Sequence, residues 1–323
     1  MAEGYEITRD VTADCPAEIT CEVTVREGAT LTVAAGCELH FLPKGKLIVE
    51  GSVNHSYNGN LVIESGALLS HVKTYVSVSE INQCIFYKST FLSDQTDVTG
   101  GLTPFTMLND NHFAGDGSET TALQLKKTTT FKISGNTIAE YNTGISLSNS
   151  GMTLAPDEIF SSIIDNNDIS DCKTGIELYN SVALFDANDI YANVNGVRLL
   201  NNSYTVFGPW DEPVSPYYQT VRDCESIEFY TDEYSFPVLF RYNLIKDDNN
   251  LGNAHNDPLI WWDYQANGPI GDVDVQKNCW GDNFAYDQDL YPPNRHKHHE
   301  YTWCPDDETA DFLATRCHVK DKN

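Results

Sequence analysis

Asn167-Asp168-Ile169, followed by Gly175-Ile176, returns 21 residues later as Asn188-Asp189-Ile190, followed by Gly196-Val197. The Asn-x-(Ile/Phe/Trp) element recurs at Asn111-His112-Phe113, Asn136-Thr137-Ile138, Asn243-Leu244-Ile245 and Asn278-Cys279-Trp280. Cys84-Ile85-Phe86 fills the same slot one step earlier, and Gly144-Ile145 repeats the Gly element after Asn136. Short apolar runs at a period near 20 residues describe a stacked solenoid of strands. Coils then lie about 4.8 Å apart, and alternating Ile, Val and Leu point inward as ladders. The recurring Asn suits a turn, because it tolerates the left-handed conformation and its amide can bond to its counterpart in the next coil. The following Gly suits a second corner of positive φ.

Toward the N-terminus the pattern changes. Gly28-Ala29-Thr30-Leu31, Gly45-Lys46-Leu47 and Gly66-Ala67-Leu68 open three similar strands, with the Leu residues 16 and 21 apart. Val23 and Val25 recur as Leu39 and Phe41, again 16 later. In that register Cys21 and Cys37 lie on adjacent coils within disulfide range, as a bridge or as two buried thiols.

The repeat "N-x-I … G-I-x-L" resembles the right-handed parallel β-helix of the pectin-lyase-like superfamily, of the secreted or cell-surface type. Val25-Arg26-Glu27-Gly28-Ala29-Thr30-Leu31-Thr32-Val33-Ala34-Ala35-Gly36 resembles the first coils of such proteins, and Asn278-Cys279-Trp280-Gly281 the end. The resemblance implies an all-β chain forming a single right-handed parallel β-helix solenoid with capped ends. A jelly roll or sandwich is the competing fold, but it lacks a stacked 21-residue register. The expected layout is an N-terminal cap over 1–20, the helix over 21–284, and a cap or tail over 285–323. Long loop insertions are expected at about 202–237 and 247–270.

The chain has 323 residues and a formal net charge of −27. Such an acid excess disfavours nucleic acid and anionic membrane surfaces as partners. No apolar run approaches the length of a membrane span, so membrane insertion is not expected. Nine Cys without paired CxxC clusters, in an acidic β-rich chain, point to an oxidising, extracellular or cell-surface location. Cys279 with Cys304 or Cys317 would tie down the tail.

Insertions in a solenoid often carry function. Trp210, Tyr217, Tyr218, His255, Trp261 and Trp262 are candidate ligand-binding residues, because aromatic faces stack on sugar rings. The alternative is that they give each loop its own small core. Asp211, Asp247, Asp248 and Asp263 are candidate catalytic carboxylates, since glycoside hydrolysis needs a pair. The "GHG" of polygalacturonase-like members and the "DH" and "RxPxxR" of pectate lyases are missing. Arg222, Arg241 and Lys246 are the candidate bases for a lyase. Asp110, Asp116 and Glu119, and Asp282 with Asp287, are candidate calcium ligands, against solvated acidic turns. His296 and His298 alternate and could share a transition metal. Asp168 and Asp189 fall at equivalent positions on stacked coils, so a cation or an outward splay must relieve their repulsion. These features favour a non-catalytic surface protein with a structural, adhesive or glycan-binding role. The alternatives are a polysaccharide lyase or glycoside hydrolase, and a self-assembling lattice or filament subunit.

Overall fold

The computed structural model describes residues 4–13, 17–26, 28–34, 37–42, 44–49, 52–55, 60–63, 68–71, 78–82, 85–88, 90–94, 105–117, 121–151, 162–208, 219–247, 259–262, 273–274, 278–280, 290–291 and 296–297. The protein is a right-handed parallel β-helix. It divides into two compact units, Met1–Ile163 and Ile164–Asn323. In each, the chain visits three parallel sheets in turn, here A, B and C.

In the first unit, Tyr5–Ile7, Val11–Ala13 and Ala17–Ile19 already form the A, B and C strands of the first coil. They pair in parallel with Glu22–Val25, Thr30–Val33 and Glu38–Phe41. The expected N-terminal cap over 1–20 is therefore a coil. The unit ends its A, B and C series on Thr143–Ser148, Thr130–Ser134 and Thr137–Ala139. In the second unit, sheet A runs Thr174–Tyr179, Asn195–Leu200, Ile227–Thr231, Ile260–Trp262 and Leu290–Tyr291. Sheet B runs Ile163–Asp165, Val182–Asp186, Tyr204–Phe207 and Phe236–Phe240. Sheet C runs Asp168–Ser170, Asp189–Tyr191, Gln219–Arg222 and Asn243–Lys246. Residues 202–237 are thus not one insertion but strands of all three sheets, with 209–218 outside the described residues. Within 247–270, Ile260–Trp262 is likewise a sheet A strand. Leu290–Tyr291 adds a last strand to sheet A, and most of the expected cap or tail over 285–323 lies outside the described residues.

The 16-residue N-terminal register is corrected. Val23, Leu31, Leu39 and Leu47 are eight residues apart, and each step moves the chain to the next face. A full coil joins Val23 to Leu47, Leu31 to Val53 and Ala17 to Leu39. Sixteen residues are two faces, so residues with that spacing sit on different sheets. Cys21 precedes a sheet A strand and Cys37 a sheet C strand. They occupy different corners, and both carry thiols, so no bridge joins them. Cys279 is disulfide-bonded, with its partner, and Cys304, outside the described residues.

The inner faces are aliphatic and aromatic. Phe86 stacks on Phe113 at 4.2 Å, and Phe207 on Phe240 at 5.1 Å. Phe229 meets both Phe207 and Phe240 edge-on.

Most corners among the described residues repeat one device. A residue in the left-handed conformation is followed by a buried residue whose backbone or side chain bonds to a neighbouring coil. At the B-to-C corner the left-handed residues are Asp110, Gly135, Asn166, Ala187 and Tyr242. The recurring Asn itself is not left-handed; it is the residue after. Asn111 donates to Asn136 Oδ1 at 2.9 Å, Asn167 to Asn188 at 2.8 Å and Asn243 to Asn278 at 2.9 Å. At the A-to-B corner Thr128 and Ser150 form a ladder, as do Ser181, Ser203 and Ser235. At the C-to-A corner Asp171, Ala192 and Asp223 are left-handed, before Cys172, Asn193 and Cys224. The Gly of the repeat serves differently from expectation. Gly175 and Gly196 are absent from the positive-φ residues. A Cβ on Gly196 would lie 2.4 Å from the Glu228 carbonyl oxygen, so close packing excludes a side chain.

Gln219 takes the place of Asn in one rung. Its Oε1 accepts from Asn188 Nδ2 at 2.9 Å. Its register partner is Asn243, yet buried Gln219 Nε2 and Asn243 Oδ1 both lack a partner. The ladder breaks at this rung. Gln219→Asn is expected to raise the thermal unfolding midpoint by joining it. Asn188→Ala should lower the midpoint by roughly 5 °C or more, because it strands the buried Asn167 amide and the Ile164 carbonyl, at about 1–3 kcal/mol per lost group. Thermal melts followed by circular dichroism test both.

Candidate functional site

Two outward features of the second unit concentrate functional side chains. On sheet A, the strand Asn195–Leu200 buries Val197 and Leu199 completely and turns Arg198 outward. Alternation does the same for Glu177 and Tyr230. The register aligns Glu177 with Arg198, Arg198 with Tyr230, and Tyr230 with Trp261. The outward row therefore reads Glu177, Arg198, Tyr230, Trp261, with one member per coil at about 4.8 Å. Arg198 Nη1 lies 3.1 Å from Glu177 Oε2, and its Cζ lies 5.6 Å from the Tyr230 ring centroid. The guanidinium thus holds the Tyr230 ring by a cation–π contact while its charge is balanced by Glu177. Trp261 is half-buried. Tyr179, two residues beyond Glu177, is 46% exposed.

On sheet C, Asp168 and Asp189 are register partners, as the sequence requires. Their repulsion is relieved by a cation of the protein's own, Arg222. Its Nε lies 3.2 Å from Asp189 Oδ1 and its Nη2 2.9 Å from Oδ2, a bidentate clamp. Nη1 reaches Asp223 at 3.2 Å, and Cζ sits 4.4 Å from the Tyr191 ring centroid. Burial pushes the Asp189 carboxyl above its ordinary range, Arg222 opposes this, and Asp168 and Asp223 add to it. Burial and the Asp168 charge likewise raise the Tyr191 hydroxyl. With both Asp189 oxygens clamped by Arg222, this cluster is built to hold neighbouring coils together.

Of the residues singled out by sequence, Trp261 falls in the sheet A row. Trp262 follows it on the strand, in register with Thr231. Trp210, Tyr217, Tyr218, His255, Asp211, Asp248 and Asp263 lie outside the described residues. Asp247 follows the strand Asn243–Lys246, and after burial itself it is the next cause that raises the Glu228 carboxyl. Arg222 and Lys246 are register neighbours, but Arg222 is committed to Asp189 and Asp223. Asp116 pairs with Lys88 at 2.8 Å, and Asp110 is a left-handed corner residue. Among the described residues no three His, Cys, Asp or Glu side chains converge on a metal position. Glu119, Asp282, Asp287 and His298 lie outside them. Arg198 and Tyr179 were not singled out, although counting back 21 residues from Arg198 would have placed it beside Glu177.

Residues 121–257 match the family described as the right handed beta helix region. A solved structure of the periplasmic alginate epimerase AlgG, a point mutant, superposes with a TM-score of 0.54 at 12% identity. The match covers 82% of this chain and 62% of that one, and shows the shared fold. No curated protein sequence matches the chain. Among the described residues no helix is long and apolar enough to cross a membrane.

Replacing Arg222 by Ala is expected to leave Asp168 and Asp189 facing each other uncompensated. The folded Asp189 carboxyl then rises further, so the folded state holds a proton that the unfolded state releases, and stability falls as pH rises above about 4. The thermal midpoint of the variant should drop below wild type more at neutral pH than at acid pH, read by melts across that range.

Proposed function

We propose that this protein is an extracytoplasmic, non-catalytic glycan-binding β-helix, whose sheet A row receives a carbohydrate chain. The observation that carries this reading is the row of Arg198, Tyr230 and Trp261 on an outward face. Two adjacent aromatic side chains give apolar faces for pyranose C–H groups, and the Arg198–Glu177 pair supplies donors and acceptors for hydroxyls. The row gains a member with each coil, so it fits an extended chain better than a single sugar. That a protein of similar fold is named for alginate agrees with a glycan as the ligand class. The ligand favoured here is a neutral glycan, because a molecule of net charge −27 repels a polyanion at a distance, and Arg198 is already balanced by Glu177.

The test is retention of the full-length protein on cellulose, linear mannan, xylan and alginate, with release of reducing ends or unsaturated products measured alongside. Retention on a neutral glycan without cleavage is expected. Cleavage would move the protein to the lyase or hydrolase class, and retention on alginate alone would overturn the neutral-glycan reading. Trp261→Ala and Tyr230→Ala should each weaken retention about tenfold or more, as truncation of a central aromatic anchor does. Neither change should unfold the protein, since both positions are outward.

A further inference from the structure

Glu228 stands where the preceding strands of sheet A carry glycine. The register places it beside Gly196, which in turn follows Gly175. Its residue is 1% exposed, and its side chain turns back into the C-to-A corner. There Oε1 accepts the backbone N–H of Cys224 at 3.1 Å. Two coils earlier the equivalent N–H, that of Cys172, is met by a neutral amide of the next coil: Asn193 Oδ1 accepts from it at 2.9 Å. At the Cys224 corner the acceptor is instead an ionisable acid. The strand it anchors, Ile227–Thr231, carries Tyr230 two residues further on.

The titratable groups around Glu228 oppose its charge. Cys224 and Asp223 belong to the corner itself, and Asp247 directly follows the neighbouring sheet C strand. Arg222, adjacent in sequence, is held by Asp189 and Asp223. Burial first, and Asp247 next, keep the Glu228 carboxyl well above the ordinary carboxylate range.

We propose that Glu228 is a proton-operated latch on the glycan row: protonated, it closes the corner that positions Tyr230, and deprotonated, it opens it. This rests on reading the row as the glycan site. The protonated acid fits the apolar corner and keeps one oxygen for Cys224. The carboxylate is a buried charge beside Asp223 and Asp247, and must move outward to reach water. Doing so releases the Cys224 N–H and loosens the start of the strand. The sign follows from the raised folded-state value. Above the unfolded value of about 4.3 the folded state holds a proton that the unfolded state has lost. Stability of this corner is therefore full at low pH and falls as pH rises toward the folded value. Glycan retention holds while the folded carboxyl keeps its proton and is lost as pH rises through the folded value.

The experiment compares wild type with Glu228→Gln, which keeps the acceptor oxygen and cannot ionise. Retention on cellulose, mannan and xylan is measured from about pH 5 to about pH 9, together with hydrogen exchange of the segment 224–231, corrected for the intrinsic pH dependence. Wild-type retention is expected to fall at least tenfold across the range, while the variant's stays level. Wild-type protection of 224–231 should fall with it, and the variant's should not. Parallel pH profiles for the two proteins, in retention or in exchange, overturn the latch. If neither protein is retained by any glycan, the glycan reading fails, and the exchange comparison decides the latch alone.

Discussion

The structure depends on what happens at its corners. A strand is easily stacked; a sharp turn between two strands exposes amides that the next coil must satisfy. Here many turns are made by one residue in the left-handed conformation, and at the Asn, Ser and Thr corners the next residue's side chain bonds to the coil beside it. That second residue is buried, so its amide or hydroxyl competes with no water and its bonds are made wholly within the protein. The three corners use three chemistries: Asn at one, Ser and Thr at the second, Cys and Asn at the third. The side chains between them are free to be simply apolar, and the phenylalanine stacks fill the interior.

Departures from these ladders mark the informative places. Gln219 keeps one neighbour and loses the other, which leaves a donor and an acceptor buried without partners. Glu228 keeps the corner bond but adds a proton equilibrium. Both lie in the second unit, on or next to strands that also carry outward Arg and Tyr residues. A regular ladder only holds coils in register. An irregular rung can also respond to its surroundings, because its satisfied state is not the only state within reach.

The outer faces divide the labour. On sheet C, Arg222 closes a network with Asp189, Asp223 and Tyr191, so its donors are spent inside the protein. On sheet A, Arg198 has a single carboxylate partner and leans over the Tyr230 ring, whose next register partner is Trp261. The same residue type thus braces coils on one face and presents a surface on the other. The difference lies in how many carboxylates reach it. This contrast favours sheet A as the face that meets a ligand.

The sequence by itself determined the stacked core of a parallel β-helix; that each coil has three sides came from the structure. Inward alternation and the Asn slot are local patterns, and Asn111, Asn136, Asn167, Asn188, Asn243 and Asn278 all stand at one corner as their spacing requires. It also determined that Asp168 faces Asp189. It misled where a spacing had two readings: sixteen residues near the N-terminus counted faces and not coils, which put Cys21 and Cys37 on different corners. It missed Gln219, because a longer amide did not fit the motif, and it read the strands of 202–237 as an insertion. Only the tertiary structure decided which residues become neighbours across coils of unequal length. Successive rungs Asn167, Asn188, Gln219, Asn243 and Asn278 are 21, 31, 24 and 35 residues apart. Excess chain leaves between strands, so the hydrogen-bonded register, and not the count along the sequence, brings Arg198 to Tyr230, Tyr230 to Trp261 and Arg222 to Asp189.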